Sequence, residues 1–592
     1  MASAQAEQPS EKRGRSEPTA TIPSGSRARC LLLCGSVLAL LGVIVCLRLP
    51  GSFLPFALQF KALGSVHEVH LCPQATVLFP ARHKEVWQAM ADRLSDKAFE
   101  KAAIDWLANS IRIPTEIFDD MGYIGIDERW RVFEPFHDHL RQAFPNVHKH
   151  LERTVVNTYG LIYEWRGSNI SMRPLLLTAH QDVVPVEHSS LHDWTFPPFS
   201  GHFDGESIWG RGSLDDKNGL IGALIAIEEL IRAGFEPTRS VVLAFGFDEE
   251  VSTGQGAPSL APVLERMYGR HGYAMIVDEG DPFSEQFGSV FATPAVAEKG
   301  YADVRFTVNT PGGHSSLPPD HTAIGILSRL LVHLENEPVP ASLNRETPLY
   351  GALQCYAAHG SHLPEGLSDA VRKSTTSDRH LRQAQNIVFR DPYWKSLAST
   401  TQAIDLIQGG HKANALPESA WAIVNHRIAT DSSGQQTHDE DTARLMDLAR
   451  AFNLSVQAFG VHHTLEGYPE AGSLTIADAW GGKPLEPAPV TRTDADAGPF
   501  QILSGTIRAT YSSHREWNVP QSEIIVAPGI LGGNTDTGAY WNLSTAIFRY
   551  NHHGPSTISG LHTVNEHILV TDFLEMIRFF TMLVLNVDES SL

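Results

Sequence analysis

Cysteine is scarce in this sequence: there are five in 592 residues, and Cys30, Cys34 and Cys46 fall within one apolar run. Only Cys72 and Cys355 remain, too few for a disulfide-framed fold; they are compatible with one disulfide or with two free thiols. Clustered Lys and Arg are missing too, since 46 basic residues stand against 67 acidic ones, for a formal charge of −21. Phosphate backbones need clustered cations, so a nucleic-acid partner is excluded. Neither His-Glu-x-x-His nor Gly-x-Ser-x-Gly occurs, which removes the helical zinc motif and the serine nucleophile elbow. After the N-terminal tail there is no internal repeat and no long low-complexity stretch.

Residues 1–29 are rich in Ser, Pro, Glu and Arg and hold too few apolar groups to offset the entropy of ordering, which predicts a disordered tail. Every residue from Cys30 to Leu47 is then apolar or small, with Arg27 and Arg29 before the run and Arg48 after it. That length predicts one N-terminal transmembrane helix over 30–47. A cleaved signal peptide has a shorter apolar core and a shorter charged flank, so an uncleaved anchor is the better reading. The basic tail places the N-terminus in the cytosol and the body in the lumen, as in a type II membrane protein. A linker over 48–84 follows, and the sequons at Asn169, Asn453 and Asn542 become glycan acceptors on that side.

Beyond the linker, apolar residues recur at helical spacing from Glu85 to Ser110 and from Arg129 to Ala143. The runs Leu175–Thr178, Ser240–Phe247 and Ala274–Val277 are continuously apolar, as strands covered on both faces are. Between the first two, Lys217–Ala233 puts Leu220, Leu224, Ile227 and Ile231 on one helical face. The pattern predicts an α/β domain, a sheet flanked by helices, in two parts, 85–299 and 461–592. From Tyr301 the residues alternate in polarity, and the order βαββαβ over 300–460 predicts an inserted ferredoxin-like α+β module. Residues 337–399 fit neither pattern and read as an insertion.

Each buried strand ends in titratable residues, where open α/β sheets bind ligands. These are His180-Gln181-Asp182, Asp248-Glu249-Glu250 and Asp278-Glu279. A glycine-bearing turn, Gly210 to Leu214, leads to Asp215-Asp216 before the Lys217 helix, and His562 precedes the last helix. Each has a plain structural explanation alone, because Asp215 or Asp216 suits an N-cap and paired acids suit a solvated turn. Together, two histidines and at least three carboxylates, with no thiol, suit an open catalytic site for two zinc ions that share a bridging carboxylate.

These motifs, in this order, resemble the family of co-catalytic zinc peptidases and amidohydrolases that includes aminoacylase, the succinyl-diaminopimelate desuccinylase group and fungal carboxypeptidase S. The resemblance covers roughly residues 95–590 and extends to Ile113-Pro114-Thr115 and the N-terminal anchor. It implies a zinc exopeptidase domain with a lid or dimerisation module at 300–460 and two Zn²⁺ per subunit. His180 and Asp278 would hold one ion, Glu250 and His562 the other, with Asp215 bridging; Glu279 is the alternative to Asp278. Asp182 would orient His180, and Glu249 would be the general base, passing a proton from the attacking water to the leaving amine. His314, in Pro311-Gly312-Gly313-His314, would polarise the scissile carbonyl from a closed lid or a dimer partner. Asn414 and Arg427 would contact the substrate carboxylate. The Asp215–Asp216 bond would be cis. One departure stands out: in Asn534-Thr535-Asp536-Thr537-Gly538 the family commonly has a basic residue where Gly538 stands.

The implied activity is release of the C-terminal residue from short peptides with glycine next to last, in a vacuole or other secretory compartment. The enzymatic rival is an N-acyl amino acid amidohydrolase or synthase on the same centre. The rival from another class is an inactive, membrane-tethered binding protein.

Overall fold

Strands that are apolar at every position need cover on both faces, and the central sheet is built to supply it. The computed structural model describes residues 71–592 except 252, 464–470, 516–522 and 555–559. The expected tail, the anchor at 30–47 and the linker up to residue 70 lie outside the described residues. Among the described residues, no helix is long and apolar enough to cross a membrane.

Eight strands form the sheet, in the spatial order Glu152–Val156, Gly160–Trp165, Val241–Gly246, Leu175–His180, Met275–Asp278, Ile547–Arg549, Ala295–Glu298 and Gly529–Leu531. It is mixed: the first two strands run antiparallel to their neighbours, whereas the central strands are parallel. Leu175, Leu177, Leu243 and Val277 face a core that contains the helices Lys217–Arg232 and Val570–Glu589. Leu176, Val242, Ala244 and Ile276 face the opposite core, with Leu260 and Leu264 of the helix Ala257–Tyr268. Period-2 alternation thus fills two apolar layers, and truncating a fully buried residue such as Leu224 to alanine would cost roughly 2–5 kcal/mol. Because the central strands are parallel, His180, the acidic turn after Gly246 and the pair Asp278-Glu279 leave the sheet on one rim.

The inserted module starts at Gly300, separated by one residue from the sheet strand Ala295–Glu298. Its six strands are ordered Thr401–Gly409, Ser419–Ile428, Gly300–Asn309, Gly472–Asp478, Leu454–Ala458 and Val461–His463. Helices Ala323–Asn336 and Gly434–Ala451 supply the residues that pack on one face of it. One expectation needs correction. The last strand of the βαββαβ unit, expected over Leu454 to Phe459 and observed over Leu454–Ala458, does not pair with Gly300–Asn309. Gly472–Asp478 lies between them, antiparallel to Gly300–Asn309 and parallel to Leu454–Ala458. The sheet therefore runs past residue 460, because Leu474 and Ile476 are buried on the same face as Val456 and Ala458.

The stretch 337–399 is mainly helical: Pro348–His359, Leu367–Ser374, Asp378–Val388 and Pro392–Leu397. Leu353, Tyr356 and Val371 from it share a core with Phe291, Ile525 and Ile530 of the main domain. Cys72 and Cys355 are joined in a disulfide that pins residue 72 to the first of these helices.

Candidate metal centre

His180 is buried at the end of its strand. Its Nδ1 faces Asp182, 3.1 Å from the main-chain oxygen and 3.4 Å from Oδ1, while Nε2 lies 2.9 Å from Asp215 Oδ1. The other oxygen of that carboxylate, Oδ2, lies 2.9 Å from His562 Nε2, which is also 3.3 Å from Glu250 Oε2. One carboxylate therefore offers one oxygen to each of two imidazoles that are 382 positions apart in the chain (562 − 180). Asp182 serves both sides, because its Oδ2 accepts a 3.0 Å bond from the Glu250 amide.

The loop that carries Asp215 is held by Glu566, whose side chain the motifs did not single out. Its Oε1 accepts from the amides of Gly212 and Leu214 at 2.9 and 2.8 Å, and Oε2 pairs with Arg211 at 2.5 Å. Gly212 has φ +91, and a Cβ there would meet Lys217 at 2.9 Å, so the turn requires glycine. The Asp215–Asp216 peptide is cis.

Three sets of side chains bring ligand atoms within 4.8 Å of one another: His180, Asp216 and Glu279; Asp215, Glu250 and His562; His180, Glu249 and Glu250. Asp278, the residue preferred from the sequence, belongs to none of them among the described residues. Glu279 Oε1 is the one that lies 3.6 Å from His180 Nε2. Adjacent residues of an extended chain point to opposite sides, so only one acid of the pair can face the histidine.

The electrostatics show what these groups lack. Burial opposes the His180 cation, yet Glu279, Asp182 and Asp215 around it push its pKa well above the usual histidine range. Burial and the neighbouring carboxylates drive Glu249 and Glu279 well above the ordinary range. Asp216 Oδ1 and Oδ2 and Glu250 Oε1 are buried with no hydrogen-bond partner. Buried like charges of this kind call for a cation, and an oxygen and imidazole donor set without thiols fits divalent metal. A cavity of about 230 Å³ opens over Asp215, Glu249, Glu250, Glu279, Asn534 and His562.

The inserted module supplies the remaining expected residues unevenly. Arg427 is bonded to this cavity's wall through Asn534, a lining residue, to whose Oδ1 its Nη1 donates at 2.9 Å. His314 and Asn414 are exposed in and beside the short strand pair Gly313–His314 and Ala415–Leu416. His314 lines a separate cavity with His321 and Phe452, and its Nδ1 lies 2.7 Å from Ser316 Oγ. A Cβ at Gly538 would meet nothing within 4 Å, so packing does not explain the missing basic side chain.

The family pattern of peptidases M20/M25/M40 matches residues 176–586 of this chain. The chain belongs to that family. As an M20 peptidase it is a metal-dependent hydrolase. It is similar to carboxypeptidase S of Saccharomyces cerevisiae, 40% identical over 503 residues that cover 84% of this chain and 86% of the yeast protein. It is also similar to the N-fatty-acyl-amino acid synthase/hydrolase PM20D1 of Mus musculus, 31% identical over 83% of this chain and 88% of the mouse protein. Among solved structures, human carnosine dipeptidase 1 shares the M20 fold with a TM-score of 0.56 at 14% identity, over 87% of this chain and all of that one.

Proposed function

We propose that this M20 peptidase is a zinc-dependent carboxypeptidase that releases the C-terminal residue from short peptides, with glycine next to last. The observation that carries the reading is Asp215, one oxygen toward His180 and the other toward His562, with Glu249 and Glu250 beside them. His180 and Glu279 would hold one zinc, Glu250 and His562 the other, and Asp215 both; Glu279 replaces Asp278 in this role. When bound, the metal supplies a Lewis acid for the scissile carbonyl and lowers the pKa of water.

Asp182 fixes the His180 ring through Nδ1, so that Nε2 points at Asp215. Glu249 shares a set with His180 and Glu250 but stands outside the two sets formed by Asp215, Glu250 and His562 and by His180, Asp216 and Glu279, and it is the carboxylate assigned to move a proton from the attacking water to the leaving amine. Arg427 takes the substrate's terminal carboxylate, and Asn414 contributes from the same module. His314 polarises the scissile carbonyl once the lid closes or a second copy in a homodimer brings it over the cavity. The yeast relative's name supports the peptide substrate. The mouse relative supports a second reading, hydrolysis or synthesis of N-fatty-acyl amino acids.

We further place the body in the lumen of the vacuole or another secretory compartment, tethered by the apolar run 30–47. The disulfide Cys72–Cys355 and the exposed sequons Asn169 and Asn542 support an oxidising, glycosylating compartment. Zinc analysis together with turnover of Gly-Leu against N-oleoyl-leucine tests the function. Two zinc ions with preference for the dipeptide are expected, and preference for the acyl amino acid selects the second reading. Zinc without turnover of any amide leaves a binding protein.

A further inference from the structure

Lys299 is the single residue between the strand Ala295–Glu298 of the main sheet and the strand Gly300–Asn309 of the inserted module. Its main-chain carbonyl accepts a 2.7 Å bond from Asn534 Nδ2. The same amide presents Oδ1 to Arg427 Nη1 at 2.9 Å. One side chain of the cavity wall thus joins the main domain, the junction and a cation of the inserted module.

Asn534 is itself held firmly. Thr535 and Thr537, in the turn that follows it, donate to Glu298 Oε1 and Oε2 at 2.8 and 2.9 Å, and Glu298 pairs with Arg549 at 2.6 Å. Glu298 and Arg549 are 1% and 0% exposed, so this support is fully buried. Arg427 also stacks on Tyr301, with its guanidinium 4.8 Å from the ring centroid, and Tyr301 is its register partner across the sheet. With one Nη1–H bonded to Asn534, Nε and Nη2 remain to receive a planar, two-oxygen anion.

We propose that Asn534 is the positioning residue for Arg427, locking the guanidinium at the cavity wall so that peptides with a free C-terminal carboxylate are selected. The assignment rests on the carboxypeptidase reading above. It also accounts for carboxylate selection without a basic side chain at position 538. An unlocked arginine on a long side chain loses orientation, and a hydrogen bond to a charged group is worth about a factor of ten or more in binding.

The test is steady-state kinetics of the zinc-loaded protein on Gly-Leu and its C-terminal amide, with wild type, Asn534→Ala, Arg427→Ala and the double variant. Asn534→Ala should raise KM for the free acid about tenfold, change kcat less than threefold and leave kcat/KM for the amide unchanged. The double variant should match Arg427→Ala within twofold, because both changes remove one interaction. Asn534→Asp sets a carboxylate beside Arg427 and should also raise KM for the acid alone, which keeps the test available if the alanine variant does not fold. Equal losses on acid and amide, or additive losses in the double variant, would make Asn534 a structural residue and overturn the proposal. If wild type cleaves neither substrate, the carboxypeptidase reading falls and takes this assignment with it. If wild type cleaves the acid and the variants do not change KM, only the role of Asn534 falls.

Discussion

Glu249 and Glu250 are adjacent in sequence yet assigned different work, and replacing each with glutamine separates the roles. Glu250 Oε2 lies 3.3 Å from His562, its amide is tied to Asp182 at 3.0 Å, and Oε1 is buried without a partner. A neutral amide there removes a metal ligand, so zinc content should fall from two toward one. Glu249 has its pKa raised by burial and by Glu279. Removing its charge relieves repulsion, so Glu249→Gln should bind both metals and keep or raise the unfolding temperature. Its loss is proton transfer, worth ~10² to 10⁴ in turnover, or about 3–5 kcal/mol of barrier. The assay is zinc per chain after dialysis, measured beside kcat on Gly-Leu with and without added zinc. Added zinc should restore part of the Glu250→Gln activity and none of the Glu249→Gln activity. If Glu249→Gln loses metal while Glu250→Gln keeps it, the roles are reversed. If both keep zinc and turnover, the chemistry is elsewhere.

His314→Ala should lower kcat on Gly-Leu at least tenfold with two zinc ions retained and no change in melting temperature, because the side chain is exposed and outside the metal sets; unchanged turnover removes it from the mechanism. Burial, with Arg427 close by, lowers the Lys299 pKa from 10.5 to about 8. The folded state then binds fewer protons than the unfolded chain between those values, so this group makes stability rise with pH from about 8 to 10.5, with its full cost present below 8. Lys299→Met should remove that rise, and melting temperatures at pH 7.5 and 9.5 that differ equally in both proteins would refute it. Cys355→Ser should lower the melting temperature, by an amount reflecting ~2–4 kcal/mol for a cross-link spanning 283 positions. A non-reducing peptide map that shows free Cys72 in the native protein would contradict the pairing.

The doubly covered core strands were legible because Leu175–Thr178, Ser240–Phe247 and Ala274–Val277 are almost continuously apolar, a signature that few other environments tolerate. Strand-end acids were legible for the same reason, since polar residues directly after such runs must leave the sheet at its rim. What sequence left open depends on directions that it does not encode. Choosing Glu279 over Asp278 needs the side on which each points, and spacing gives only their adjacency. The strand Gly472–Asp478 was missed because βαββαβ was already complete at Phe459, although Leu474 and Ile476 alternate with Thr475 and could have signalled another strand. Glu566 lay inside a quoted motif, but its bonds run to Gly212 and Leu214, more than 350 positions away. Asn534 likewise meets Arg427 and Lys299 only through the fold.

Buried acids in this protein divide by their partners, and the division distinguishes scaffold from chemistry. Glu298 pairs with Arg549 at 2.6 Å, and Glu575 pairs with Arg515 at 2.6 and 2.7 Å; each arginine answers the carboxylate with fixed donors. Glu575, after the opposing effect of burial, is accordingly pulled well below the ordinary carboxylate range by His514, His552 and Arg515. Around His180 the balance is opposite: burial raises Asp216, Glu249, Glu279 and Asp536, and neighbouring acids raise them further. A scaffold gains nothing from leaving such repulsion unanswered, since breaking or omitting one partner of a buried ion pair costs several kcal/mol. The sequence could have supplied arginines here, as it does at Glu298 and Glu575, but a fixed guanidinium would fill the space and answer the charge that bound metal requires. Among the described residues the carboxylates around His180 have histidines but no arginine or lysine paired with them, which leaves them for metal to compensate, and removing the metal should destabilise the sheet rim first.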